Sequence, residues 1–353
     1  MRGRKLREGV KCFALSPIQL IRGNFMGRTV STILLFTCLY TSNILANGNL
    51  LTAYPKPGEG ILSLLRRSGV NPTQSVVRAF VDLNKPLLTR GNGLRRDVAY
   101  RLPHTRVSKI RTYPIFGSKY ENVTIRSTEL QGCVYYVVSG HGGPDPGAGG
   151  THGRKRIYED EYAYDTSLRI ARNLIERGAI VYIIVRDYND GIRDLKYLPP
   201  DKDEVHLGGK VIALNPVLRL RARTDKINAL FEKHAKTARL QRMIESHIDS
   251  NQDRSMNIDV HFTYYSNAGR RLAKVLSNTF EKQYKKVQPS RGYQGKIRRR
   301  TELHMLRETK PVGVLIELGN IRYSGDHVRF MDPYNRQILS TWIVLGLLED
   351  ARR

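Results

Sequence analysis

The chain has 353 residues, 40% hydrophobic and 26% charged, which is enough apolar material for one large or two modest globular domains and excludes a collagen-like or wholly disordered protein. Its 59 Lys and Arg against 32 Asp and Glu leave a net charge of +27, which favours an anionic partner such as nucleic acid, anionic lipid or a cell-wall polymer. Three cysteines, at 12, 38 and 133, are too few for a disulfide framework, so the core must come from packing.

The uncharged apolar stretch from Thr29 to Ala46 follows Arg2, Arg4, Lys5, Arg7, Lys11, Arg22 and Arg28. A basic leader, a short apolar run and a small residue before a polar segment predict a signal peptide over 1–46, with Met26 a possible start. The alternatives are a membrane anchor and a lipid-attachment signal at Cys38. Four Thr and two Ser make the stretch a poor span, and Leu35-Phe36-Thr37 fits a lipid-attachment box poorly. Cleavage after Ala46 would leave no stable membrane span and would place the mature chain in the periplasm or cell envelope. Export argues against nucleic acid as the partner.

Residues 47–104 read as a small βααβ module. Ile61, Leu62, Leu64 and Leu65 have helical spacing, and Asn71-Pro72 starts a second helix carrying Val76, Val77, Phe80 and Val81. The Gly58-Glu59 turn, the Gly69 between the helices, the Leu83-Asn84 pair and Leu102-Pro103 resemble a LysM module, which implies binding to the glycan of peptidoglycan. Glu59 stands where that pattern has Asp; a helical linker without a ligand is the competing reading. Residues 105–131, with a Tyr113-to-Gly117 turn and alternating Val123-Thr124-Ile125, read as bridging strands without chemistry.

From 132 to 353 the pattern predicts an α/β domain, a mostly parallel twisted sheet with helices on both faces. Cys133–Val138 is a buried strand running into the glycine-rich loop Gly140-His141-Gly142-Gly143, and sites gather at the carboxyl ends of such strands. The loop has neither the Lys-Ser/Thr of a P-loop nor GxGxxG spacing. A helix opens at Tyr158-Glu159-Asp160-Glu161, where acids also complement the helix dipole, and Ala179–Val185 is a second strand; this order implies a βαβ unit. In the polar insertion 188–210, Asp187-x-Asn189-Asp190-Gly191 has the start of a calcium loop, but Leu198 occupies the position of the closing Glu, so an EF-hand is rejected. A helix after Pro216 carries Arg223 and Asn228. A strand then presents His247, another (260–265) contains His261, and a helix covers 272–280. Val312–Asn320 is an apolar strand containing Glu317, and a C-terminal helix follows Pro333.

An acid in a buried strand is costly unless it is paired, solvated or useful. Two His and two Glu near element ends on one side of a sheet suit a catalytic zinc site, which takes three protein ligands and a water. His152 and His206 read as solvated, and His104, His234, His304 and His327 have no companion pattern. No Gly-x-Ser-x-Gly elbow is present, and Cys133 lies at a strand start without an activating base.

Residues 132–350 resemble the zinc-dependent N-acetylmuramoyl-L-alanine amidases of the amidase-3 type. The resemblance rests on Gly140-His-Gly-Gly-Pro-Asp-Pro-Gly-Ala148, Glu159 ahead of Arg169-Ile-Ala171, Arg223 to Asn228, Ser246-His-Ile-Asp-Ser250 and Val314-Leu-Ile-Glu-Leu-Gly-Asn320. It implies His141, Glu159 and His247 as ligands of one Zn²⁺ per chain, and Glu317 as the base that activates a water. Glu161 stays open as a competitor of Glu159, and His261 as an alternative to His247, because Ser246-His247-Ile248-Asp249 lacks the Ile before the His and has Asp in place of the Asn of the family's Ser-Ile-His-Ala-Asn. The implied substrate is peptidoglycan, glycan strand and stem peptide, cleaved between N-acetylmuramic acid and L-alanine, with a protein activator as a further expected partner. The competing function is a non-catalytic wall-binding or scaffold protein of the same fold. The tyrosine-interleaved basic region 282–300 suits an anionic muropeptide as well as nucleic acid.

Overall fold

The computed structural model describes residues 52–68, 70, 72–103, 109–250 and 259–353; the predicted signal segment lies outside the described residues. The N-terminal module runs β1 (Thr52–Ala53), α1 (Ile61–Arg67), α2 (Gln74–Asn84) and β2 (Tyr100–Arg101), with β1 antiparallel to β2. Leu64, Leu65, Val70, Phe80, Tyr100 and Leu102 form its core. Asn84 fastens it: the buried amide donates to the carbonyls of Phe80 and Arg101 at 2.8 and 2.7 Å and accepts the Arg101 N–H at 2.7 Å. Glu59 is held by both Nε and Nη2 of Arg67 at 2.8 Å, and that guanidinium keeps its pKa down at about 2. The bridging segment is the antiparallel hairpin β3 (Lys109–Thr112) and β4 (Asn122–Ile125).

The main domain continues with β5 (Cys133–Ser139), β6 (Gly149–His152), β7 (Lys155–Tyr158), α3 (Glu159–Ile175), β8 (Ile180–Ile183), β9 (Val185–Arg186) and β10 (Val205–His206). Then come α4 (Pro216–His234), β11 (Leu240–Asp249), β12 (His261–Tyr264), α5 (Asn267–Val287), β13 (Ile297–Arg299), α6 (His304–Glu308), β14 (Val312–Asn320), α7 (Ser324–Met331) and α8 (Pro333–Ala351). Six strands form the central sheet in the order β13-β12-β14-β11-β5-β8. The four from β14 to β8 are parallel, as the apolar runs predict.

Alternation along β5 shows how both faces are covered. Cys133, Tyr135 and Val137 pack with α3, α5 and α8 residues such as Leu168, Leu276 and Val344, while Val134, Tyr136 and Val138 pack with Ile227 of α4 and Met305 of α6. Helix starts follow side-chain chemistry: Asn215 accepts the N–H groups of Val217 and Leu218 ahead of Pro216, and Asp332 accepts those of Tyr334 and Asn335 ahead of Pro333.

Strand β12 runs antiparallel to β14, so the sheet is mixed and mostly parallel. Two expectations need correction. The strand predicted over 179–185 is divided, and its last part, β9, turns aside to pair with β10 of the insertion. That pairing buries His206, expected in solvent, to 5% exposure, and burial lowers its pKa to about 4.

A buried ion network joins α3 to α8 and the insertion. Asp165 accepts from Arg169 Nε at 2.8 Å, Arg336 Nε at 2.6 Å and the Arg193 N–H at 2.7 Å. Arg336 spends its other donors on the carbonyls of Phe330, Met331, Arg193 and Leu195. Removing one partner strands buried charge, so Asp165→Ala is predicted to cost about 3–5 kcal/mol in urea-unfolding experiments. A loss below about 1 kcal/mol would show that the network is not holding these elements together.

Candidate active site

The carboxyl ends of β5, β11 and β14 lie side by side, and each delivers a candidate residue. His141 follows β5, His247 lies near the end of β11, and Glu317 lies in β14 in register with His247. Glu159 enters from the first turn of α3, brought there by the β6–β7 hairpin.

Glu159 is 4% exposed, and both of its oxygens are committed. Oε1 contacts His247 Nδ1 at 2.8 Å and accepts the Ile248 N–H at 3.0 Å; Oε2 lies 3.3 Å from His141 Nε2 and accepts the Ala148 N–H at 2.9 Å. The donor atoms of His141, Glu159 and His247 all fall within 4.8 Å of one another. The imidazoles meet edge to face, with ring centres 5.1 Å apart.

The loop geometry depends on tight backbone approaches. His141 itself has φ of 62°, an uncommon left-handed conformation for a residue with a side chain and one typical of functional sites. At Gly140 a methyl group would fall inside the His247 ring, and at Gly147, with φ of 68°, it would press on the His141 ring and Glu159 Oε2 at 2.7–2.8 Å. Arg223, 1% exposed, reaches back from α4 to the carbonyls of Ser139 and His141 and so fixes the loop from behind.

Outer contacts orient both rings. Asp145 Oδ2 meets His141 Nδ1 at 2.7 Å and is itself paired with Arg219; Glu245 Oε1 lies 3.4 Å from His247 Nε2. A carboxylate on the far nitrogen fixes an imidazole's orientation for metal ligation. Burial opposes a charged His141, but Asp145 and Glu159 outweigh it and hold its pKa up to about 9. His247 is likewise raised against burial by Glu159 and Glu245. Burial also opposes a charged Glu159, yet the two imidazoles hold it well below the usual carboxylate range.

Glu317 is the contrast. Burial pushes it up to about 8, with His247 pulling the other way, and its buried Oε2 has no hydrogen-bond partner among the described residues. The alternatives fall elsewhere. Glu161 turns to Arg193 Nη1 at 2.9 Å and the Asp201 N–H at 3.1 Å, and His261, in register with Glu317 from the β12 side, meets the Asp259 carbonyl through Nδ1 at 2.5 Å. Cys133 is buried, and burial pushes its thiol pKa up.

Sequence reasoning gave no role to Asp145, Arg219 or Glu245. Asp145 lies in the glycine motif, Arg219 one helical turn before Arg223, and Glu245 two residues before His247 on the same strand face, so spacing held a signal for each.

Residues 136–349, more than half of the chain, match the protein family described as N-acetylmuramoyl-L-alanine amidase. The probable cell wall amidase LytH of Staphylococcus aureus is 27% identical over 224 residues, 64% of this chain and 60% of that protein. The chain thus spans about 60% of the length of the curated relatives it matches. Among solved structures, N-acetylmuramoyl-L-alanine amidase AmiC2 of Nostoc punctiforme aligns at 19% identity over 64% of this chain and 99% of its own, with a TM-score of 0.45. The CwlV catalytic domain of Bacillus (Paenibacillus) polymyxa aligns at 20% identity over 62% and 97%, with a TM-score of 0.43.

The crowding at Gly140 yields a test. Gly140→Ala is predicted to weaken divalent-metal binding by about 10–100-fold in a competition titration against a chromogenic chelator. Gly60→Ala, where a methyl group meets nothing within 4 Å, serves as the control and should leave binding unchanged.

Proposed function

The chain belongs to the N-acetylmuramoyl-L-alanine amidase family of the amidase-3 type, and from that premise we propose that it is a zinc-dependent hydrolase cleaving the amide between N-acetylmuramic acid and L-alanine in peptidoglycan. The observation that carries this reading is the convergence of His141 and His247 on the Glu159 carboxylate, with an unpartnered Glu317 oxygen on the adjoining strand.

The donor set fits Zn²⁺. Two imidazole nitrogens and one carboxylate oxygen are the usual protein ligands of a catalytic zinc, and ligands about 2.0–2.2 Å from the ion lie about 3.3 Å apart in a tetrahedron. The Glu159 contacts to His247 and His141, at 2.8 and 3.3 Å, approach that spacing. When bound there, zinc supplies a Lewis acid that polarises the amide carbonyl and acidifies a water. Asp145 and Glu245 hold the two rings in their ligating orientation.

Glu317 takes a proton from the attacking water. The water oxygen bonds to the lactyl carbonyl carbon, the C–N bond breaks, and Glu317 passes the proton to the departing L-alanine nitrogen. The products are a carboxylic acid on the sugar and a free amine on the peptide. A base with a pKa near neutrality suits both transfers, and burial places Glu317 in that range, at about 8.

The remaining assignments extend this reading. The βααβ module binds the glycan strand, the segment 1–46 directs export to the periplasm or cell envelope, and the positive charge favours the anionic wall polymer. No described helix is long and apolar enough to cross a membrane. The non-catalytic scaffold reading does not account for a complete ligand set joined to an unsatisfied carboxylate.

Glu317→Gln is predicted to retain one zinc per chain by metal analysis while hydrolysis of purified peptidoglycan falls by roughly 10²–10⁴-fold. Undiminished hydrolysis would remove Glu317 from the mechanism, and a folded wild-type chain that takes up no zinc would favour the scaffold.

A further inference from the structure

The end of the sheet opposite the candidate active site carries a cavity that the reading above leaves unused. Its volume is about 660 Å³, and its wall carries Arg239, Arg242, Arg271, Lys274, Arg352 and Arg353, with Asp350 the one acid among the described residues. Leu240, also on the wall, begins β11, and His247 lies seven residues further along that strand. At about 3.3 Å per residue, some 23 Å of strand separates the cavity from the candidate active site. Helix α8 ends at the same place, with Ala351 on the wall.

Half of these cations are already neutralised. Arg242 Nε pairs with Asp350 Oδ2 at 2.8 Å, Arg352 with Glu129 and Glu349, and Arg353 with Glu349. Arg239 meets only uncharged acceptors, the Ala351 and Glu129 carbonyls at 2.7 and 3.2 Å and the Cys133 sulfur at 3.0 Å. Arg271 and Lys274 are exposed and three residues apart on one face of α5, and neither has an ion-pair partner among the described residues. Like charges at that spacing repel, and the one acid on the wall is held by Arg242.

Arg239, Arg271 and Lys274 therefore leave the cavity positive, and a cavity of one sign concentrates ions of the other. A carboxylate supplies one charge and two oxygens, whereas a phosphate monoester supplies about −1.5 to −2 and three strong acceptor oxygens. Guanidinium forks and an ammonium group match those oxygens. The volume falls within the roughly 300–1,000 Å³ of small-ligand sites, so it admits more than a single phosphate.

We propose that this cavity binds a ligand through its phosphate groups, with Arg239, Arg271 and Lys274 as the anion contacts, at a site separate from the His141–Glu159–His247 centre. A free oligophosphate and the headgroup of an anionic phospholipid present the same chemistry. Arg239 and Arg352 also line an adjoining cavity of about 350 Å³, whose wall includes Tyr54, Arg67 and Leu102 of the N-terminal module. A ligand in the larger cavity sits beside the junction of module and main domain, away from the scissile bond.

The test reads binding directly in the full chain, so it succeeds or fails independently of any amidase activity. Inorganic pyrophosphate is titrated in by calorimetry, and a second arm measures cosedimentation with phosphatidylglycerol vesicles in excess of that with phosphatidylcholine vesicles. Binding in at least one arm is expected, and the arm identifies the source of the phosphate. Arg271→Ala combined with Lys274→Ala, both at exposed positions, should weaken that binding roughly tenfold or more, and Arg271→Lys combined with Lys274→Arg should preserve it. Removal of zinc by pyrophosphate and adsorption of the stretch 29–46 to vesicles are indifferent to these substitutions, so neither imitates the result. No binding in either arm, undiminished binding by the folded double-Ala variant, or succinate bound as tightly as pyrophosphate would each overturn the proposal.

Discussion

The candidate active site depends on one carboxylate. Glu159 stands at the head of α3, almost removed from water, and its two oxygens gather an imidazole each from the ends of β5 and β11 together with two backbone N–H groups. Such a charge is costly to bury alone. Here it is compensated by both histidines, by backbone donors and by the helix N-terminus. Loss of any partner would leave the others with uncompensated charge, so the arrangement is cooperative.

Much of this was legible in the sequence because strong local signals coincide with it. The β-branched run of β5, the glycines around His141 and the acid-led start of α3 specify strand, loop and helix before any long-range contact is considered. The Gly140 close approach explains why the motif begins with glycine: a methyl group there would occupy the space of the His247 ring. What was less legible depends on contacts distant in sequence. The reversal of β12, the burial of His206 by β10 and the grip of Arg223 on the loop carbonyls all come from elements that local pattern does not connect. The different surroundings of His247 and His261 belong here too: both lie in apolar strands, but His247 meets Glu159 and His261 the Asp259 carbonyl.

Buried arginines do a second kind of work. Arg336 and Arg169 converge on Asp165, while Arg193, whose backbone joins that network, turns its guanidinium to Glu161 and Asp190. The polar insertion is thereby tied to α3 and α8, although it contains little regular structure. Seen this way, the large positive balance is not only a surface property. Part of it neutralises carboxylates inside the domain, and the exposed remainder suits a polyanionic substrate.

Mass spectrometry of purified peptidoglycan digested by the zinc-loaded chain tests most directly whether His141, Glu159, His247 and Glu317 together hydrolyse the N-acetylmuramoyl-L-alanine bond, as proposed. Intact glycan strands and released stem peptides bearing a new L-alanine amino terminus are expected. Cleavage within the glycan or between peptide residues, or no release by folded, zinc-loaded protein, would contradict that proposal.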